Sequence, residues 1–167
     1  MITLKWINVE EENASVFKFD KAMKKYKLLQ DRKLAFASKF LKTHSKSKYY
    51  SISHAYPICV IAESNEKIGV DIENSNRKID WEKIVSKKFS KKDKRPLNRN
   101  SFFLDWTTRE AYFKCTQDKH YLNVTLEEIT DKWVVSIRHV DDFYIAICSA
   151  NQQDIQNEIV SLKNSLD

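Results

Sequence analysis

Two carboxylates stand two residues apart in Gly69-Val70-Asp71-Ile72-Glu73. Apolar and acidic residues alternate there as in a half-buried strand, and side chains at i and i+2 share one face. Asp71 and Glu73 would therefore lie side by side, with Val70 and Ile72 turned into the core. Adjacent carboxylates repel each other unless a cation lies between them, and oxygen donors of this kind suit a hard divalent ion. Two solvated acids on a surface strand are the other reading. Gly69 is the only glycine in 167 residues, which points to a place where a side chain would obstruct a neighbour. A second group lies on a predicted helix over 101–115, where Trp106, Glu110 and Lys114 recur every four residues and share one face. Alone, these read equally well as a packing tryptophan beside an i,i+4 ion pair worth about 0.3–0.5 kcal/mol.

Several elements must hold these groups in place. A strand is predicted over 1–10 and a loop over 11–20. Two helices lie within 21–42, broken near Gln30-Asp31. A connector over 44–48 leads to a short strand over 49–52 that ends at Ser53-His54. The apolar run over 58–62, a turn over 63–66 and the strand over 68–73 read as a β-hairpin carrying the two acids on its second arm. Trp81, Ile84, Val85 and Phe89 have the spacing of one helical face. The segment 87–99 is rich in lysine and arginine, and Pro96 interrupts any helix there. Ser101 is the expected N-cap of the helix over 101–115. Strands are predicted over 124–129, 132–140 and 143–150, and an amphipathic helix over 154–166. Strands and helices do not alternate as βαβ units, so the fold class is α+β.

Composition narrows the function classes. Hydrophobic residues make up 42% and aromatics 12%, enough for a core and against wholesale disorder. Lys plus Arg number 29 against 23 Asp plus Glu, a net charge of +6, which favours acidic partners. The three cysteines, Cys59, Cys115 and Cys148, sit in or beside apolar runs, as free thiols of a reducing compartment do. The first twenty residues contain no secretory apolar region, and no run reaches membrane-spanning length, so the expectation is a cytoplasmic protein that does not engage membranes. A basic nucleic-acid-binding module is a rival reading, resting on 87–99. It leaves the aligned acids unexplained.

Gly69-Val70-Asp71-Ile72-Glu73, followed by Trp106-Thr107-Thr108-Arg109-Glu110-Ala111-Tyr112-Phe113-Lys114, resembles the signature of the 4′-phosphopantetheinyl transferases, roughly G-[IV]-D-x-E and then W-[ST]-x-K-E-[AS]-x-x-K. Ser53-His54 and Phe89-Ser90-Lys91-Lys92-Asp93 are similar to the I-S-H-S and F-S-x-x-E segments of the surfactin-synthetase-activating branch. The resemblance spans residues 52–114. It departs at Arg109, where the family has lysine, at Ala55, and at Thr116-Gln117-Asp118-Lys119, where a glycine-containing turn is usual. The N-terminal half is also short.

The resemblance implies a single domain of two pseudo-symmetric halves, each a small antiparallel sheet packed on a helix. The halves are expected at about 1–56 plus the C-terminal tail and 57–150, with coenzyme A between them in a monomer. It implies Mg²⁺-dependent transfer of 4′-phosphopantetheine from coenzyme A to a serine of an apo acyl or peptidyl carrier protein, an acidic partner. Asp71, Glu73 and Glu110 would hold the metal. Glu110 would take the serine proton and Lys114 would hold a phosphate oxygen. Ser53, His54, Arg32 and Lys48, with Lys46, would contact coenzyme A, His54 at its 3′-phosphate. A homologue that binds coenzyme A or a carrier without transfer is a further alternative. Which carrier is modified, and whether acyl-coenzyme A is accepted, stays open.

Overall fold

Ile2, Leu4 and Ile7 are buried along the first strand, β1 (Ile2–Asn8). In the computed structural model, which describes residues 1–89 and 98–162, β1 lies inside a four-stranded sheet. It pairs antiparallel with β3 (Ile58–Ser64), and β3 pairs antiparallel with β2 (Tyr49–Ala55). On its other edge β1 pairs parallel with β7 (Ile155–Ile159), so the order is β2-β3-β1-β7. Helix α1 (Leu29–Thr43) lays Leu34, Ala37 and Leu41 against Ile7, Val9, Cys59 and Ile61. Each large side chain so buried stabilises by about 1.5–3 kcal/mol. These elements form one compact unit, Met1–Asn65 with the C-terminal residues from Gln153.

The segment 21–42 is not two helices: a single 3-10 turn at Met23–Lys25 precedes α1. Gln30 and Asp31 lie in the first turn of α1, where an acid suits the helix dipole. The hairpin joining 58–62 to 68–73 does not form. β3 is claimed by β1 and β2, and the next strand belongs to a different sheet, so the division between units follows β3 instead of preceding it. The expected terminal helix is strand β7, clamped at both ends by Ile2 N–H to the Asp154 carbonyl (2.8 Å) and Val160 N–H to the Trp6 carbonyl (2.9 Å). β-Branched Ile155 and Ile159 suit that pairing, and tertiary pairing overrides local helical spacing. Residues 163–167 lie outside the described residues.

The second unit, Glu66–Gln152, contains a three-stranded antiparallel sheet of order β4-β6-β5: β4 (Ile68–Asn74), β5 (Val134–Val140) and β6 (Phe143–Ser149). Helix α2 (Trp81–Lys88) starts at Asp80, whose side chain accepts from Lys83 N–H. The long helix α3 (Arg99–Thr116) packs on β4 and β6. Its cap is Asn98, and Ser101 sits at the third helical position, where it closes a reciprocal capping box instead of capping. The strand expected over 124–129 is replaced by helix α4 (Leu126–Lys132), started by a second capping box between Thr125 and Glu128. Phe102, Phe103, Val85, Phe89 and Tyr144 form the core beside α2. The three cysteines are free and buried. Lys91, Lys92, Lys94 and Arg95 of the basic segment lie outside the described residues. No helix among the described residues is long and apolar enough to cross a membrane.

Candidate active site

Gly69 decides how closely α3 can approach β4. A Cβ built at Gly69 would lie 1.9 Å from the Ala111 carbonyl oxygen and 2.6 Å from the Cys115 nitrogen. The missing side chain therefore lets the backbone of α3 rest on the strand. Gly69, Asp71 and Glu73 share one face of β4, and that face looks at the helix: Lys114 reaches Asp71, and Trp106 reaches Glu73. Asp71 is only 5% exposed, which excludes the solvated-acid reading. Val70 and Ile72 on the opposite face are buried as expected.

Each acid has a protein partner. Lys114 Nζ donates to Asp71 Oδ1 at 2.7 Å and to the Val70 carbonyl at 3.1 Å. Trp106 Nε1 donates to Glu73 Oε1 at 3.1 Å, and Arg77 pairs with Glu73 Oε2 at 3.1 Å. Tyr121 donates its hydroxyl to Glu110 Oε1 at 2.8 Å. Burial pushes the Glu73 carboxyl up, and the charge of Asp71 adds to that push, against Arg77 and Trp106. Burial also drives the Tyr121 phenol far above its ordinary value, with further contributions from Glu110 and Asp71. The charge of Asp71 thus acts on Glu73 and on Tyr121, the residue that donates to Glu110. The sequence grouped Trp106, Glu110 and Lys114 on one helical face, and their contacts run to β4 and to the loop beyond α3. It did not indicate Arg77 or Tyr121, which no local pattern singles out.

Arg109 points the other way. It is fully buried, with Nε 2.5 Å from Asp105 Oδ1 and its guanidinium 4.8 Å from the centre of the Phe89 ring. It also donates to the carbonyls of Tyr121 (3.4 Å) and Val124. Burial pushes the Asp105 carboxyl up to about 7 and the Arg109 guanidinium down to about 10. Gln117 occupies the left-handed region (φ 62°) at the end of α3, doing what a glycine does at that position in many helices.

Apart from Lys114, the residues predicted for coenzyme A belong to the first unit. Ser53 is buried and His54 exposed on β2. Arg32 donates to the Tyr26 carbonyl at 2.8 Å, and Lys48 lies over the Tyr49 ring. Lys33, beside Arg32, and Tyr56, just past His54, both hold Glu10. Lys48 precedes the opposite end of β2, about 20 Å from His54 at the strand rise of roughly 3.3 Å per residue.

Fold and site together define a class: an α+β protein whose strand–helix pair sets a buried Asp71 against Lys114 and Glu73 against Trp106. The family follows. The model of the 4′-phosphopantetheinyl transferase superfamily matches residues 67–160, more than half of the chain, and the chain belongs to that superfamily. Membership implies phosphopantetheine transfer. The match is to the superfamily as a whole and does not single out the surfactin-synthetase-activating branch. A search of curated proteins returned no match.

The superfamily implies a divalent metal. Among the described residues no three His, Cys, Asp or Glu side chains are already gathered as a cage. The donor chemistry nevertheless fits a hard cation: Asp71 sits buried against a lysine, and Glu73 resists ionisation partly because of Asp71. A cation accepted between them would relieve that repulsion.

Proposed function

We propose that the protein transfers the 4′-phosphopantetheine group of coenzyme A to a serine of an apo acyl or peptidyl carrier protein, with Mg²⁺ bound. The observation that carries this reading is the buried Asp71–Lys114 contact, with Glu73 on the same strand face and Glu110 on the same helix face. Family membership supplies the reaction class.

Asp71, Glu73 and Glu110 would hold Mg²⁺, which when bound neutralises pyrophosphate charge so that an alcohol can approach. Glu110 takes the proton of the carrier serine as its oxygen bonds to the β-phosphorus of coenzyme A. The bond from that phosphorus to the bridging oxygen breaks, and adenosine 3′,5′-bisphosphate leaves. Lys114, one helical turn from Glu110, holds a phosphate oxygen and offsets charge on the leaving group. Ser53, His54 and Arg32 supply donors for coenzyme A, with His54 toward its 3′-phosphate. Lys48, at the far end of β2, contributes charge at a distance.

A thermal-shift comparison tests the binding half of this reading. Mg²⁺ with coenzyme A should raise the melting temperature, by about 2.7 kcal/mol of stabilisation at one hundred times the Kd. Chelation should remove most of that rise, and a single- or double-stranded oligonucleotide should give none. Stabilisation by the oligonucleotide alone would favour the basic nucleic-acid-binding reading instead.

A further inference from the structure

The loop after α3 brings one side chain to Glu110 that the signature residues do not include. Tyr121 donates its hydroxyl to Glu110 Oε1 at 2.8 Å, and its ring stacks on Phe113 with centroids 4.8 Å apart. Phe113 lies three residues beyond Glu110, so ring and hydroxyl are fixed against the same stretch of helix. The loop itself is braced along its length. Gln117 turns it in the left-handed region, and Asp118 accepts from His120 N–H (2.8 Å) and from the Tyr112 hydroxyl (3.2 Å). Beneath it, buried Arg109 donates to the Tyr121 and Val124 carbonyls while Asp105 holds its Nε.

A glutamate on a half-exposed helix face samples several rotamers. A fixed donor on Oε1 selects one of them and leaves Oε2 to accept a proton. We propose that Tyr121 is a positioning residue that sets the orientation of the Glu110 carboxylate, and that Arg109 clamps the loop presenting it. The proposal rests on the transferase reading of Glu110 given above. It also accounts for arginine at position 109. One planar fork serves a carboxylate and two carbonyls at once, which a lysine ammonium on a flexible stem does not do.

Tyr121→Phe tests it, because the ring and its stacking stay and only the hydroxyl goes. Positioned general bases contribute about 10²–10⁴-fold, and loss of orientation should forfeit about ten- to a hundredfold of kcat. KM for coenzyme A should stay within about twofold, as for an interaction made in the transition state and not in ground-state binding. Combined with Glu110→Gln, Tyr121→Phe should lower kcat no further. Arg109→Lys should lower kcat in the same direction, with a lower melting temperature. Independently of activity, urea unfolding of the unliganded chain with Tyr121→Phe, Glu110→Ala and both together should show the two sites energetically coupled. Full kcat in Tyr121→Phe, multiplicative losses with Glu110→Gln, or absence of coupling in the unfolding cycle would each overturn the proposal. Transfer absent from the wild type on every carrier would overturn the transferase reading instead. In that case coupling in the unfolding cycle would still establish the Tyr121–Glu110 contact.

Discussion

Gly69 meets α3 with no room for one further carbon, and both atoms it would strike closest belong to helix backbone. Backbone cannot swing aside as a side-chain tip can, so Gly69→Ala must separate strand and helix or bend one of them. Overpacking of this kind costs about 1–3 kcal/mol, occasionally more, and the upper part of that range is expected. Urea denaturation should show the loss. The same displacement moves Lys114 from Asp71, so transfer should fall further than the stability loss alone explains. An alanine variant with wild-type stability would mean that α3 is seated less tightly than its contacts indicate. Arg109 belongs to this scale too. It replaces the family's lysine, yet it is wholly buried and turned to carbonyls and Asp105, and so it organises the site without facing it.

At the scale of elements, α1 is tied to the strands beside it by charge as well as by its apolar face. Glu10, just past β1, accepts from Lys33 of α1 and from Tyr56 just past β2. Those two hydrogen bonds, Tyr56 first, hold the Glu10 carboxyl below its ordinary value. A carboxyl lowered on folding contributes stability above its unfolded value of 4.5, and that contribution is lost as pH falls through the lower folded value. Glu10→Gln should therefore be less stable than the wild type near neutral pH, by a small amount because the site is exposed. The difference should begin to shrink as pH falls below 4.5 and go on shrinking through the lower folded value. A gap unchanged from neutral pH into strong acid would point to packing instead of charge. Elements were readable where the pattern was local. Alternating residues marked β1 and β4, and four-residue spacing marked α3. Misreadings arose where the deciding partner is distant in sequence, or where a cap outweighed β propensity. β7 is a strand because β1 is there to pair with it, and β3 leaves its apparent hairpin for β1 and β2. Over 124–129 the Thr125–Glu128 box was present in the sequence, but the β-branched residues around it suggested a strand.

At the scale of the whole molecule, the family signature placed the carboxylates, Trp106 and Lys114 on elements that do meet, because strand and helix periodicity fix facing directions without tertiary knowledge. Tyr121 and Arg77 could not be found that way: each reaches the site from a loop whose path depends on buried contacts. The most direct measurement is the intact mass of an apo-carrier after incubation with the protein, coenzyme A and Mg²⁺. The wild type should add one phosphopantetheinyl group to a carrier serine. Glu110→Gln should add none on the same timescale while still binding coenzyme A, since glutamine keeps the size but cannot take the proton. No mass gain across fatty-acid, polyketide and nonribosomal-peptide carriers, in a protein that still binds coenzyme A, would contradict the account and leave a binding homologue in its place.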